Sequence, residues 1–389
     1  MAGKRGAAVL LLAITIGSAA CTGSPPQPAT VSPGKASSPV SAAPPGPVAV
    51  CFGAMPADWT RALHARSVIS PAGTYFGPGG ILGDAAIGQF NSASESGIGR
   101  LDMTTGRLTT IAQFPGAAGG VGAMAVDPPW VVWEELDSQN TMQTNLNDWT
   151  IHVWNQRLGT ARLLATSRLG NGTYVNGQQP EPVVRNGVAA WAQPVPSLDR
   201  YNKAQVRAVD LATGTVFTLD TGRVSSPVYA GPYLVWGKID RAGRSLLRVA
   251  DAENFRPAAI PAPLRDPGSL LYLAGSPDYL AWSSGDLNTL TVWPVGTDHL
   301  LRFTQSNSGH PFQFLGLAGH FVLWYTGMGS SVLDLRTGNA FDIAGSGAAS
   351  AGAITVQEQL KQPPKGSYAS VRVSTLATAA MPAIRTCSQ

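Results

Sequence analysis

Carboxylates and imidazoles are the side chains of this sequence that could do acid–base chemistry. Glu134 and Glu135 are adjacent, and His310 comes much later in the chain. Two carboxylates and a histidine within hydrogen-bond reach could act as general acid and base in a hydrolase or lyase. No spacing in the sequence requires the three to meet, so we treat them as binding candidates and assign no catalytic residue.

Other chemical motifs are missing from the sequence. The five histidines form no H-x-x-x-H pair, and there is no Walker loop, dinucleotide fingerprint or G-x-S-x-G elbow. We therefore predict no cofactor and no metal site. The formal charge is +4, and the basic residues show no cluster or stripe. Nucleic-acid binders usually show one, so we predict no nucleic-acid partner.

Tryptophans recur at one position, at the end of an apolar run that precedes a polar turn. The five that share this position are Trp133, Trp191, Trp236, Trp282 and Trp324. A repeated strand position is better explained by packing between repeats than by carbohydrate stacking. Trp149, Trp154 and Trp293 fall outside this position, so we expect them to be freer to bind a ligand.

Small turns follow the tryptophan runs at a regular period. They are Thr105-Gly106, Leu158-Gly159, Thr213-Gly214, Glu253-Asn254, Gly296-Thr297, Thr337-Gly338 and Ala377-Thr378, in steps of 40 to 55 residues. With 44 Gly, 30 Pro and only 13% charged residues, the composition suits short strands better than helices. Repeated strand, hairpin and turn modules of this length indicate an all-β propeller, most simply with seven four-stranded blades and alternatively with six or eight.

The repeats resemble seven-bladed β-propellers in the broad sense, including the TolB-like and quinoprotein-like groups of the periplasm. The resemblance covers residues 51–389 and lacks the signature pairs of WD40 and kelch repeats. Before the repeats, we expect a short helical turn capped by Asp58.

The N-terminus has the composition of an export signal. Lys4 and Arg5 precede an apolar run from Ala7 to Ile16, and Ser18-Ala19-Ala20-Cys21 ends it. This segment resembles a bacterial lipoprotein signal, which implies removal of residues 1–20 and diacylation of Cys21. It also implies an exported protein anchored through lipid on the outer face of the cytoplasmic membrane. An ordinary secretory signal is the alternative.

The segment 21–50 is rich in Pro, Ser and Ala and holds few large apolar residues, so we predict a disordered tether. Cys51 and Cys387 then remain at the two ends of the folded part. An even pair in an exported protein favours a disulfide, and two buried free thiols are the alternative.

Loops after the tryptophan strands and between units lie on one face of a propeller, and the Thr-Gly turns lie on the other. Two insertions, Gln139 to Asp148 and Leu169 to Gln179, enlarge the first face. Long connections often carry function. The candidate binding residues on this face are Glu134, Glu135, Tyr174, Asn176, Lys238, Arg241 and His310.

The function that we favour is non-catalytic binding of an envelope protein, peptide or glycan by a monomeric, lipid-anchored propeller. The alternative is an exported propeller hydrolase or lyase that acts on envelope or extracellular sugars or peptides. Fold alone does not separate the two, because propellers carry many chemistries.

Overall fold

A computed structural model describes nine ranges of the chain, and almost all regular structure in them is β. The ranges are 46–114, 120–136, 148–175, 177–196, 203–305, 309–327, 329–350, 352–360 and 368–384. They hold 29 strands, one α-helix and two 3₁₀ turns (Ala262–Leu264 and Thr378–Ala380). None of the helices within these ranges has the length and apolarity to cross a membrane.

The N-terminal segment supplies four elements before the repeats begin. They are β1 (Val48–Ala49), β2 (Cys51–Gly53), α1 (Ala57–Ala65) and β3 (Ser67–Ile69). The helix starts at Ala57 after Pro56, and Asp58 makes no capping bond but pairs with Arg61 inside the first turn. The predicted Asp58 cap is therefore wrong, because the helix begins one residue before it.

The remaining strands form seven consecutive antiparallel units. Units 1 to 3 are β4 (Tyr75–Leu82), β5 (Ala85–Asn91), β6 (Ser96–Asp102), β7 (Leu108–Gln113); β8 (Gly120–Asp127), β9 (Trp130–Leu136), β10 (Trp149–Asn155), β11 (Thr160–Thr166); and β12 (Val183–Arg185), β13 (Val188–Pro194), β14 (Ala204–Asp210), β15 (Val216–Val224). Units 4 and 5 are β16 (Val228–Ala230), β17 (Tyr233–Ile239), β18 (Ser245–Asp251); and β19 (Leu273–Gly275), β20 (Tyr279–Ser283), β21 (Thr289–Pro294), β22 (Leu301–Thr304). Units 6 and 7 are β23 (Gln313–Ala318), β24 (Phe321–Tyr325), β25 (Ser330–Asp334), β26 (Asn339–Ile343); and β27 (Ser346–Ser350), β28 (Ala353–Gln359), β29 (Val371–Ala377).

The first strand of each unit lies innermost, and these strands form a closed circle. β4 contacts β8, and the contacts continue through β12, β16, β19 and β23 to β27, which contacts β4. The chain is thus an all-β propeller, and its strand grouping agrees with the predicted seven blades.

The N-terminal strands join the last units of the ring. β3 pairs antiparallel with β29 and is the fourth strand of unit 7. β2 adds to β26 of unit 6, and β1 adds to β22 of unit 5, both in parallel. Val48 and Ala49 therefore belong to the fold, whereas the boundary predicted at residue 51 left them in the tether.

Unit 4 has three strands, and Phe255 to Ile260, at the place of its fourth strand, form none. Only a single bridge, Ala250 to Pro257, remains there. Pro257 and Pro261 remove backbone donors, which explains the failure of a strand at this place. β15 of unit 3 instead extends to pair with β17.

The five repeated tryptophans are buried between neighbouring units, with at most 4% of each exposed, so the packing prediction is confirmed. Trp149, Trp154 and Trp293 are also buried, on the third strands of their units, at 9% exposure or less. The expectation that these three are freer to bind is wrong. They pack in the same layers as the repeated ones.

Candidate functional site

A central channel has a volume of about 530 Å³. All seven innermost strands contribute to its wall. We call its two ends the loop-rich mouth, formed by Glu181, Ser226, Tyr272 and Phe314, and the turn mouth, formed by Asp127, Arg185, Asn186 and Ser276. The loop-rich mouth lies on the face where the long connections between units enter the inner strands.

Glu181 presents a carboxylate to the loop-rich mouth from an unfavourable backbone conformation. It stands between Pro180 and Pro182 with φ of 40°. Positive φ is rare for residues other than glycine, and a following proline further favours extended backbone. Strain of this kind persists only where surrounding structure imposes it, and it is concentrated at functional sites. Ser226 helps to impose it, because its hydroxyl donates to the Pro180 carbonyl at 3.0 Å.

Glu134 lies directly behind the channel wall and is completely buried. The inner strand β8 bulges between Val121 and Met124, and Gly122 lies within this bulge. A Cβ at Gly122 would come within 2.3 Å of Glu134 Oε2, so the absence of a side chain at this position makes room for the carboxyl group. Neither Glu134 oxygen accepts a hydrogen bond from any described residue.

The two carboxyl groups differ in their electrostatics. Burial raises the pKa of Glu134 to about 8, and the charge of Glu181 adds to the effect. Burial also raises the pKa of Glu181, although Ser226 opposes this through a hydrogen bond. The Glu181 side chain is nevertheless exposed, and its exposed surface lies in the channel. The charge of Glu181 raises the pKa of Glu134, whereas Glu134 is not among the causes that shift the pKa of Glu181.

Aromatic side chains form another part of the loop-rich mouth. The rings of Tyr272 and Phe314 lie 4.9 Å apart, and Tyr325 follows at 6.3 Å from Phe314. Phe314 is 59% exposed and has φ of 47°, next to a bulge between Gln313 and Gly316. A bulge redirects the side chains beside it, which accounts for a phenylalanine that points away from the core. The charge of Glu181 contributes to raising the pKa of Tyr272, after burial, so the carboxylate and the aromatic wall belong to one site.

Glu134 and Glu135 do not share a site. Successive side chains of β9 point to opposite sides of the sheet. Glu134 lies on the side that packs against unit 3, whereas Glu135 lies on the side of Trp133, which packs against unit 1. There Glu135 is 3.5 Å from His152 Nε2, and the His152 ring stacks on Trp133. Burial lowers the pKa of His152.

The described residues Lys238, Tyr174 and Arg241, which were also predicted to bind, are not among those that line the channel. Lys238 Nζ donates to Asp220 at 2.5 Å, so its charge is already paired. Arg168 lies over the ring of Tyr174 at 5.2 Å. Arg241 is exposed on the turn after β17.

His310 lies towards the outside of the ring, stacked on Phe52 of the added strand β2 with ring centroids 4.2 Å apart. Its Nδ1 is 3.4 Å from Asp342. The structure thus gives Glu134, Glu135 and His310 three different sets of neighbours. The predicted Asn176, Cys21 and Cys387, and most of the Gln139 to Asp148 insertion, lie outside the described residues.

Sequence reasoning missed the three residues that the channel brings together, namely Glu181, Tyr272 and Phe314. One signal was available, the Pro-Glu-Pro triplet at 180–182 directly after the second predicted insertion. A charged residue fixed between two prolines is held in place by its backbone, which suits a binding group.

No protein-family model matches the sequence. No curated protein matches it either. Solved structures do match in fold. The propeller domain of the Trilobed protease from Pyrococcus furiosus, described as having an open velcro topology, aligns with a TM-score of 0.50 at 8% identity over 77% of this chain and 93% of that one.

Two further solved structures align less closely. A prolyl endopeptidase structure gives a TM-score of 0.49 at 14% identity, over 83% of this chain and 49% of that one. TolB from Acinetobacter baumannii gives 0.37 at 12% identity, over 69% and 62%. The chain therefore spans about half the length of the prolyl endopeptidase. Identities this low show the propeller fold alone.

Proposed function

We propose that this protein is an exported propeller that binds an envelope protein, peptide or glycan through the loop-rich mouth of its channel. One observation carries the proposal: strands and connections of different units place an exposed carboxylate and an exposed aromatic wall at the same opening. Because the ring fixes these groups before a ligand arrives, binding orders few side chains.

The proposal includes anchoring by lipid at Cys21 on the outer face of the cytoplasmic membrane. Two acyl chains anchor stably, whereas one chain binds only marginally, so a diacylated protein resists a salt wash. We expect the wild type in the membrane fraction and Cys21→Ala in the soluble fraction. Recovery of the wild type in the soluble fraction would mean that the signal is only secretory.

The proposal also includes a disulfide between Cys51 and Cys387. Asn339, the partner of Cys51 in the β2–β26 pairing, donates from Nδ2 to the Ile384 carbonyl at 3.0 Å. Three residues span at most about 10 Å, so the position of Ile384 is compatible with the proposed bond. Such a closure stabilises by up to about 5 kcal/mol. Thiol titration of unfolded, unreduced protein tests it, and two free thiols besides Cys21 would refute it.

A hydrolase or lyase is the second candidate, because Glu134 and Glu181 form a pair of carboxyl groups with raised pKa values. Such pairs can supply a general acid and a base. The burial of Glu134 favours the binding proposal over this one. Glu134 exposes no surface to the channel, so it cannot touch a substrate while β8 keeps its position.

A pull-down from membrane extract tests the binding proposal with two matched variants. Leu271→Asp places a charge at the loop-rich mouth, where Leu271 is 49% exposed, and Leu158→Asp does the same on the Thr-Gly face, where Leu158 is 71% exposed. We expect loss of the partner only with Leu271→Asp. Loss only with Leu158→Asp would put the site on the other face. Turnover of a sugar or peptide library, with no captured partner, would favour the enzyme.

A further inference from the structure

The positive and negative charges along the channel wall are unevenly distributed between its two ends. Among the residues that line the channel, three are charged: Asp127, Glu181 and Arg185. Asp127 and Arg185 lie together at the turn mouth, and the charge of Arg185 lowers the pKa of Asp127 against the larger effect of burial. Glu181 is the charged lining residue of the loop-rich mouth, and within the described ranges no lysine or arginine forms an ion pair with it. That mouth therefore has a net negative charge when Glu181 is ionised.

A second carboxyl group, that of Glu134, lies behind the same mouth. Glu134 lies behind Gly122, which is itself exposed to the channel. Its two oxygens are buried without a hydrogen-bond donor among the described residues. A buried polar group without a partner is costly, and native proteins keep one where it has a role. A positive charge in the channel mouth would give this carboxyl group an electrostatic partner.

The aromatic wall determines which kind of positive charge fits. Faces of tyrosine and phenylalanine attract organic cations through the ring quadrupole, within about 6 Å. Phe314 is held at positive φ with most of its ring exposed, as Glu181 is held at positive φ with its carboxylate exposed. Two strained residues that both present their side chains to one mouth indicate that the site is formed before a ligand binds.

We propose that the loop-rich mouth binds an organic cation, an ammonium or guanidinium group on a short aliphatic chain, with Glu181 as counter-ion and Tyr272 and Phe314 as the aromatic wall. This rests on the proposed function and names the chemistry of its ligand. The ligand is a basic side chain of a bound peptide or a small amine, since both present the same group.

A divalent metal ion fits this mouth less well. Ca²⁺ takes six to eight oxygen ligands and Mg²⁺ takes six in near-octahedral geometry. Among the described lining residues, Glu181 is the one that brings a carboxylate to this mouth, since Asp127 lies at the turn mouth. The described residues contain no group of three or more His, Cys, Asp or Glu side chains that could hold an ion. The channel of about 530 Å³ is also far larger than an ion, and is of the size that holds a small organic ligand.

Titration calorimetry on the folded protein tests the proposal. The probes are 1,5-diaminopentane, acetyl-lysine-amide and acetyl-arginine-amide, with 1,5-pentanediol as the uncharged match for the first. We expect the cations to bind and the diol not to bind. Binding should weaken with added salt, because an ion pair at a mouth open to solvent is screened.

Glu181→Gln removes the charge and keeps the shape, so affinity for the cations should fall at least about tenfold. Phe314→Leu should reduce it about two- to fivefold through the lost cation–π contact. The control is Glu253→Gln, which removes a carboxylate from an exposed turn on the Thr-Gly face and should leave affinity unchanged. Thermal unfolding checks that each variant is folded. If Glu181→Gln does not fold, the affinity of Phe314→Leu and the salt dependence of binding decide whether the inference holds.

The outcomes separate the sources of the ligand and the two proposals. Tighter binding of the capped amino acids than of the diamine assigns the site to a peptide side chain, and the reverse assigns it to a small amine. Equal binding of the diol, equal loss in Glu253→Gln, or binding of Ca²⁺, Mg²⁺ or Zn²⁺ in place of the amines overturns the inference. A partner captured through Leu271 without any cation binding overturns the inference alone. Cation binding without any partner overturns the proposed function alone.

Discussion

The two mouths of the channel are built from the same inner strands but differ in whether their polar groups have partners within the protein. At the turn mouth, the Asn186 amide donates to Asp127 at 2.6 Å, and Arg185 donates to the Gly231 carbonyl at 2.5 Å. Arg185 also lies 5.7 Å from the centre of the Tyr229 ring, whose hydroxyl donates to the Val188 carbonyl. Each of these named groups has a partner from the protein itself.

The loop-rich mouth has the opposite character. Glu134 has no donor in the part of the chain that the structure describes, and Glu181 and Phe314 are held in unfavourable backbone conformations. Networks whose groups are all paired make a structure rigid, whereas unpaired buried groups cost stability. The turn mouth thus pairs its polar groups within the protein, while the loop-rich mouth keeps groups available for a ligand at a cost to the fold.

The pH dependence of stability should show the largest effect, and it comes from Glu134. Its pKa of about 8 in the folded protein lies above the ordinary value of 4.5, so the folded state binds more protons than the unfolded state between these values. Its stabilising effect is fully present below about pH 4.5 and is lost as pH rises through 8. Between these two pKa values, the free energy of unfolding should fall by up to about 1.4 kcal/mol per pH unit as the pH rises.

Glu134→Gln keeps the shape of the protonated acid and removes the titration. Urea unfolding at pH 5, 6, 7 and 8 should therefore give a flatter curve for this variant than for the wild type. Glu253→Gln, an exposed carboxylate, is the control and should follow the wild type. Parallel curves for all three proteins would mean that Glu134 is ionised and paired in the folded state. The loop-rich mouth would then have no unpaired buried carboxyl group, and the contrast between the two mouths would be wrong in this respect.

Much of the fold was predictable because a repeated period fixes it. The spacing of the small turns indicated the units, and the shared tryptophan position indicated their packing layers. What the period could not show was the origin of β3, since a strand from the N-terminus completes unit 7 through pairing that no local pattern encodes. Pro257 and Pro261 are the signal in the sequence that unit 4 lacks a fourth strand.

The site was less predictable, because it depends on side-chain direction. Strand alternation alone separates Glu134 from Glu135, and the prediction that grouped them ignored it. A comparison of repeats would have singled out Glu134. The residue that follows the repeated tryptophan is Ala192, Gly237 or Ser283 in three other units, so a carboxylate at this buried position is anomalous. Tyr272 and Phe314 carry no such signal, since their meeting depends on the closure of the ring.

Removing a paired group at the turn mouth should have the second largest effect. Arg185→Ala leaves the Gly231 carbonyl without its charged donor and Asp127 without a neighbouring positive charge, so stability should fall by about 2 kcal/mol. The matched change at the loop-rich mouth is Phe314→Ala, which removes a side chain that is 59% exposed and should change stability by less than about 0.5 kcal/mol. Urea unfolding at pH 6 compares them, and equal losses would remove the distinction between the mouths.

The smallest effect should be a gain in stability, from relief of the backbone strain at Glu181. Glycine usually lowers stability by about 0.5–1 kcal/mol in ordered backbone because it has more freedom to lose. At φ of 40° this balance reverses, since glycine adopts positive φ without steric cost. Glu181→Gly should therefore be about 1 kcal/mol more stable than Glu181→Gln, which shares the loss of charge and keeps the strain. Glu253→Gly, at a position without positive φ, should instead lose stability relative to Glu253→Gln. If glycine destabilises at both positions, the conformation of Glu181 is no cost to the fold, and the loop-rich mouth is not held under strain.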